Sequence, residues 1–154
     1  MIFTQTLQRA IVKAPLRGND KKTVINELVD LLAEKGLLSD RNYVLDKILM
    51  REEIRSIGTG SGIAIPHIKC NYAKELLIAM GIAKNPIDFA SMDGKGVYIV
   101  ILLVSPIHQI SLHIQTLAGI IRMMLDERFK QQLEKVASAG EVYEILKSRK
   151  DGCF

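Results

Sequence analysis

Two apolar runs constrain most strongly how this chain can fold. They cover residues 76–82 and 97–104, and the second is rich in valine and isoleucine. Turn residues bound both runs, with Asn85-Pro86 after the first. Uninterrupted apolar runs of this length are typical of strands buried on both faces. We therefore predict two central strands of a buried sheet, the first ending before Asn85.

Helical spacing of apolar residues predicts five helices, over residues 20–35, 40–53, 111–125, 127–137 and 140–149. Asn19 or Asp20 is positioned to cap the first helix, and Gly36 to end it. Ser111 is a plausible N-cap for the long third helix. The core stripe predicted for that helix consists of Ile114, Leu117, Ala118, Ile121, Met124 and Leu125.

The order of the elements predicts the fold class. A short early strand is expected within residues 9–13, and no repeat, low-complexity segment or linker divides the chain. Helices that alternate with buried strands indicate an α/β fold, a single domain over residues 1–154 with a small mixed β-sheet flanked by helices.

Charge and cysteine usage narrow the classes of partner. The net charge of +4 and a pI near 9.1 suggest an acidic partner, but the basic residues alternate with acids, and tryptophan is absent. We therefore expect no nucleic-acid binding. Cys70 and Cys153 match no disulfide framework, and neither a bilayer-length apolar run nor a secretory signal is found. These features predict a cytoplasmic protein without membrane insertion.

His67 is the first candidate for chemistry, because it follows a glycine-dense stretch and Pro66. The glycines superficially resemble a dinucleotide-binding loop, but an apolar segment and a proline follow them instead of a helix. We expect a short strand over residues 63–65 that ends at Pro66 and presents His67 at its edge. A histidine there can act as a nucleophile, although a lone histidine is more often structural.

His113 and Arg51 are the next candidates. If Ser111 caps the third helix, His113 lies in its first turn, where backbone N–H groups and the helix dipole favour a phosphate. The alternative is a polar residue that merely caps the helix. Arg51, at the end of the second helix, can grip a phosphoryl group at two points, but such a residue is usually part of a solvated helix end.

Metal and thiol chemistry are weaker alternatives. His67 with Cys70, or His108 with His113, could contribute to a zinc site. A nucleophilic pair of Cys70 and a histidine is a second alternative. No established zinc or cysteine-nucleophile motif accompanies them. We expect no metal and no cofactor.

Residues 51–67 closely resemble a known active-site signature, and the specific part is its end, Gly62-Ile63-Ala64-Ile65-Pro66-His67. The signature belongs to the fructose/mannitol/nitrogen-regulatory class of enzyme IIA domains of the bacterial phosphotransferase system. The resemblance extends along the chain through Lys21-Lys22, Ile87-Asp88-Phe89, Asp93-Gly94 and His113-Ile114-Gln115, all in family order.

The resemblance implies a phosphocarrier. It implies that His67 accepts a phosphoryl group, as a tele-phosphohistidine, from an HPr-type protein, that His113 supports the phosphorylated site, and that Arg51 helps to hold the phosphate. Ser56 and Thr59 are further possible hydrogen-bond donors. Ile57 replaces a more usual threonine, and the loss of that hydroxyl would cost on the order of 1 kcal/mol.

The resemblance leaves three functions open. A free-standing chain of 154 residues favours the nitrogen-regulatory branch, whose phosphorylation state would control a target protein. The second is a sugar-specific enzyme IIA that passes the phosphoryl group to a IIB domain of a membrane permease. The third is a binding module that works without phosphate. For docking of the donor, we expect an apolar or acidic patch around His67.

Overall fold

A computed structural model describes residues 9–54, 58–60, 62–91 and 93–148, and these contain six strands and five helices. The strands are β1 (Ile11–Lys13), β2 (Gly58–Gly60), β3 (Ile63–Ala64), β4 (His67–Cys70), β5 (Leu77–Ile87) and β6 (Val97–Pro106). The helices are α1 (Lys21–Glu34), α2 (Arg41–Ile54), α3 (Ile110–Met124), α4 (Glu127–Glu134) and α5 (Ala139–Ser148).

One mixed sheet holds all six strands, in the order β1-β5-β6-β3-β2, with β4 also paired to β6. The two predicted central strands, β5 and β6, pair antiparallel, whereas β1 runs parallel to β5. β3 and β4 both run parallel to β6 along its other side, and the first pairs are Ile63 with Ile99 and His67 with Leu103. The residues between β3 and β4, Ile65 and Pro66, therefore interrupt a single line of strand pairing immediately before His67.

Both faces of the sheet are covered by helices, as the uninterrupted apolar runs predict. Leu102 faces a core formed with α1 and α2, whereas its neighbour Ile101 faces a second core formed with α3, α4 and α5, and both are fully buried. Alternate side chains of a strand point to opposite faces, so a strand covered on both sides must be apolar at every position. The predicted α/β fold, a mixed sheet flanked by helices, is confirmed.

The predicted limits of the first helix are also confirmed. Asp20 is the N-cap of α1, and its carboxylate accepts a hydrogen bond from the backbone N–H of Thr23 at 2.8 Å. Helix α1 ends at Glu34, and Gly36 follows with a φ of +72°. That left-handed conformation is available to glycine without steric cost and turns the chain out of the helix.

The predictions for the long helix were wrong in two respects. Helix α3 begins at Ile110 with Gln109 as its N-cap, so Ser111 lies inside the first turn and is not the cap. The buried face consists of His113, Thr116, Gly119, Ile120, Met123 and Met124, whereas Ile114, Ile121 and Leu125 of the predicted stripe are exposed. Apolar residues occupy both sides of this helix, so periodicity alone fits two stripes, and the contact with the sheet selects one.

Strand β5 also differs from its prediction, because it continues through Asn85-Pro86 to Ile87. Pairing shifts there, from Ile82 opposite Ile99 to Ile87 opposite Val97. A bulge of this kind leaves residues out of the ladder, and a proline, which has no N–H to donate, is tolerated at such a position. The other helix limits agree with the predictions except that α4 ends early, at Glu134.

Candidate functional site

The fold brings His67 and His113 together at the end of the sheet where β6 leads into α3. His67 is the first residue of β4 and pairs with Leu103 of β6, and His113 lies in α3, soon after β6 ends. The centroids of the two imidazole rings are 5.7 Å apart, with 53° between the ring planes. Two histidines that are distant in sequence thus form one site.

The backbone before His67 determines which nitrogen of its ring carries the proton. Nδ1 of His67 lies 2.6 Å from the carbonyl oxygen of Ile65. A carbonyl oxygen can only accept a hydrogen bond, so Nδ1 carries the hydrogen, and in the neutral ring Nε2 keeps its lone pair. The next carbonyl, of Pro66, accepts a hydrogen bond from the N–H of Leu103 at 2.9 Å, which holds this segment against β6.

His113 is held in its neutral form. Only 4% of its surface is exposed, and burial lowers its pKa to about 4, with further contributions from the charges of His67, Lys69 and Arg51. Burial would strip an imidazolium of its hydration, and the charges of described residues that act on this ring are positive, so the neutral ring is favoured. At neutral pH the ring is therefore a neutral hydrogen-bonding group beside His67.

The hydroxyl group of Ser105, at the end of β6, contacts the ring of His113. The Oγ atom of Ser105 is hydrogen-bonded to Nδ1 of His113, and Ser105 is completely buried. Sequence reasoning missed this residue. The signal that could have revealed it is a polar side chain at the end of the apolar run of β6, on the same face as Leu103 and five residues before α3 begins.

Arg51 lies in the last turn of α2 and is exposed. Its positive charge lowers the pKa of His113, so it acts on the same site electrostatically. Ser56 and Ile57 lie outside the described residues. Thr59 belongs to β2, but its side chain also lies outside what the structure describes.

The structure does not bring the alternative sites together. Cys70 is a free, buried thiol within the core formed with α1 and α2, on the opposite face of the sheet from α3, so it makes no pair with His67 or His113. His108 is exposed in the segment before α3. No group of three histidine, cysteine or acidic side chains among the described residues is arranged to hold a metal ion.

Three isoleucines that are close to His113 in sequence are exposed. Ile107, Ile110 and Ile114 are each more than half exposed, and they lie just before α3 and in its first two turns. Large apolar side chains grouped on a surface are typical of protein interaction sites. The segment that carries His113 thus has an apolar surface, Ile107, Ile110 and Ile114.

Among the described residues, no helix combines the length and the apolar character that a membrane crossing requires.

The sequence is similar to a known family profile and to characterised proteins. The sequence profile described as "Phosphoenolpyruvate-dependent sugar phosphotransferase system, EIIA 2" matches residues 5–149. The nitrogen regulatory protein of Bradyrhizobium diazoefficiens is 31% identical over 146 residues, which cover 95% of this chain and 95% of that protein. The fructose-specific EIIABC component of Bacillus subtilis is 30% identical over 146 residues, but the match covers 23% of that much longer protein.

Solved structures have the same fold. The nitrogen regulatory protein IIA-Ntr of Neisseria meningitidis superposes with a TM-score of 0.81 at 26% identity, covering 95% of this chain and 99% of that one. The enzyme IIA and phosphorylated enzyme IIB mannitol complex of Escherichia coli gives a TM-score of 0.72 at 17% identity, covering 92% of this chain and 96% of that one. At that identity the second comparison shows the fold alone.

Proposed function

The chain belongs to the EIIA 2 family of the phosphoenolpyruvate-dependent sugar phosphotransferase system, and we propose that it is a phosphocarrier of the nitrogen-regulatory type. In this proposal His67 accepts a phosphoryl group from the phosphohistidine of an HPr-type protein. The observation that carries it is the hydrogen bond between Nδ1 of His67 and the Ile65 carbonyl oxygen, which leaves Nε2 as the nucleophile.

The transfer is a displacement at phosphorus. The Nε2 lone pair of His67 forms the new N–P bond as the N–P bond to the donor imidazole breaks, and the electron pair returns to the donor ring. The His67 ring gains positive charge because Nδ1 keeps its hydrogen. The Ile65 carbonyl oxygen, already 2.6 Å away, stabilises that charge without any rearrangement. The product is a tele-phosphohistidine.

His113 and Arg51 would stabilise the phosphoryl oxygens. Phosphoryl transfer depends mainly on positioning and on electrostatic stabilisation of the oxygens. His113 lies beside His67 as a neutral ring, and Arg51 contributes a positive charge that already acts on His113. In this arrangement the chain requires neither a metal nor a cofactor. Ser56 and Thr59 stay candidate donors to the phosphate.

The apolar surface of the segment that carries His113, formed by Ile107, Ile110 and Ile114, supports docking of a protein donor. An HPr-type donor that presents basic residues would be repelled by the positive charges of Arg51 and Lys69 at the site, so the exposed isoleucines would supply the favourable contact. The free thiol of Cys70 agrees with a reducing compartment, and we propose that the exchange takes place in the cytoplasm.

The comparisons support two branches of the family. The Bradyrhizobium diazoefficiens protein matches along 95% of its own length, which favours a regulatory protein that controls a target through its phosphorylation state. The fructose-specific relative is nearly as similar, at 30% identity, and favours the alternative, transfer to a IIB domain of a sugar permease.

Phosphotransfer between purified proteins tests the proposal and separates the two branches. The chain is incubated with labelled phosphoenolpyruvate and with the sugar-type or nitrogen-type donor proteins, and is then chased with candidate IIB domains. We expect label on the wild-type chain. A label that stays on the chain in the presence of IIB domains supports the regulatory branch, and transfer to a IIB domain supports the sugar branch.

His67→Ala is the decisive variant, and His108→Ala is its matched control, because His108 is an exposed histidine outside the site. We expect His67→Ala to take up no label and His108→Ala to take up as much as the wild type. Wild-type protein that takes up no label from either donor chain would favour a phosphate-independent binding module instead.

A further inference from the structure

We propose that Ser105 is a positioning residue for phosphoryl transfer: its hydroxyl donates to Nδ1 of His113 and so directs an N–H at Nε2 of His113 toward the phosphoryl group. This inference rests on the proposed function. Ser105 lies outside the signature segment, residues 51–67.

The direction of the Ser105–His113 hydrogen bond follows from what the hydroxyl can reach. Ser105 is completely buried, and among the described residues the ring of His113 is the one hydrogen-bonding partner of its side chain. If Nδ1 were the donor, the hydroxyl hydrogen would be buried without an acceptor. If the hydroxyl donates, both its hydrogen and the Nδ1 lone pair are satisfied, and unpaired buried donors are the more costly and rarer case.

The consequence is a definite tautomer for His113. With Nδ1 as acceptor, the neutral ring carries its hydrogen on Nε2. Phosphoryl oxygens only accept hydrogen bonds, so a supporting histidine must offer them an N–H. The buried, neutral ring can do this without carrying a positive charge, since burial keeps its pKa far below neutral pH.

The fold places Ser105 where it can set this geometry. Ser105 lies opposite Lys69 of β4, two residues beyond the pair formed by His67 and Leu103. Side chains two residues apart on a strand share a face, so Ser105 lies on the same face of the sheet as Leu103, under the first turns of α3. The central strand therefore fixes the ring of His113 relative to the strand that carries His67.

The tautomer can be read directly in the unphosphorylated protein. Long-range ¹H–¹⁵N NMR spectra of histidine-labelled wild-type chain distinguish a protonated from an unprotonated ring nitrogen. We expect His113 to be protonated at Nε2 and unprotonated at Nδ1. A hydrogen on Nδ1 would overturn the inference, and this measurement needs neither a folded variant nor a phosphoryl donor.

Variants of Ser105 then test its effect on transfer from the phosphorylated HPr-type protein. Ser105→Ala should shift the Nδ1 resonance of His113 and slow phosphorylation of His67 about three- to tenfold, the range expected for one lost hydrogen bond. Ser105→Thr, which keeps the hydroxyl, should restore the rate to within about threefold of the wild type. Equal slowing in both variants, or an unchanged rate in Ser105→Ala, would overturn the positioning role.

Thr116→Val is the matched control, because it also removes a buried hydroxyl next to His113 on the face of α3 that packs against the sheet. The Thr116 Oγ1 atom has no hydrogen-bond partner among the described residues. We expect its transfer rate to equal that of the wild type, and slowing as large as in Ser105→Ala would contradict a specific role for Ser105. If the wild type accepts no phosphoryl group, the proposed function fails. The NMR measurement of the His113 tautomer still shows, in that case, whether the Ser105 hydroxyl donates to Nδ1.

Discussion

The buried, neutral His113 predicts how the stability of this protein depends on pH. The pKa of His113 is lowered from its ordinary 6.5 to about 4, chiefly by burial. The unfolded chain therefore binds a proton at a pH where the folded chain does not. Protonation then favours the unfolded state, so His113 makes the free energy of unfolding fall as the pH drops from about 6.5 to about 4.

The size of this effect follows from the two pKa values. Each pH unit between them corresponds to about 1.4 kcal/mol, which makes the total loss of stability about 3 kcal/mol. Above pH 6.5 both states leave the ring neutral, and below pH 4 both are protonated, so the contribution is constant outside this window. A single side chain thus accounts for a substantial share of the stability of an ordinary domain.

Urea denaturation of the wild type and of His113→Gln, at several pH values between 4 and 7.5, isolates the contribution of His113. The difference in the free energy of unfolding between the two proteins should shift by about 3 kcal/mol in favour of the variant as the pH falls. His108→Gln, which alters an exposed histidine, should follow the wild type. Parallel curves for wild type and His113→Gln would refute the reasoning, because they would mean that burial does not lower the pKa of His113.

Three further substitutions test other parts of the structure. Leu102→Ala empties a fully buried position of the central strand and should lower the free energy of unfolding by about 3 kcal/mol in urea denaturation. Gly96→Ala places a Cβ against the ring of Pro86 across the bulge, so we expect a loss of about 1–3 kcal/mol by the same measurement. Arg51→Gln removes a positive charge that lowers the pKa of His113, so that pKa should rise in an NMR titration. An unchanged pKa would show that the charge of Arg51 does not reach His113.

The sheet was predictable because its central strands are buried on both faces. That burial demands apolar residues at every position of residues 97–104, and no amphipathic helix needs such a run. Which face of α3 packs against the sheet was not predictable in the same way. Ile114 and Ile120 are equally apolar, and only the position of the helix on the sheet decides that Ile114 is exposed and Ile120 is buried.

The candidate site was predictable in its residues but not in its contacts. The resemblance to a known signature selected His67, His113 and Arg51, and the structure places the two histidine rings 5.7 Å apart. The contacts of the Ile65 carbonyl and the Ser105 hydroxyl depend on where backbone segments meet in space. Composition and residue spacing therefore do not predict these two contacts.

The position of the phosphoryl group on the protein tests the central claim most directly. The ¹⁵N-labelled chain is phosphorylated by an HPr-type phosphohistidine protein, and couplings between ³¹P and ¹⁵N identify the nitrogen that carries the phosphorus. Because Nδ1 of His67 donates to the Ile65 carbonyl, we predict the phosphoryl group on Nε2 of His67. A phosphoryl group on Nδ1 of His67, or on any other residue, would contradict this account.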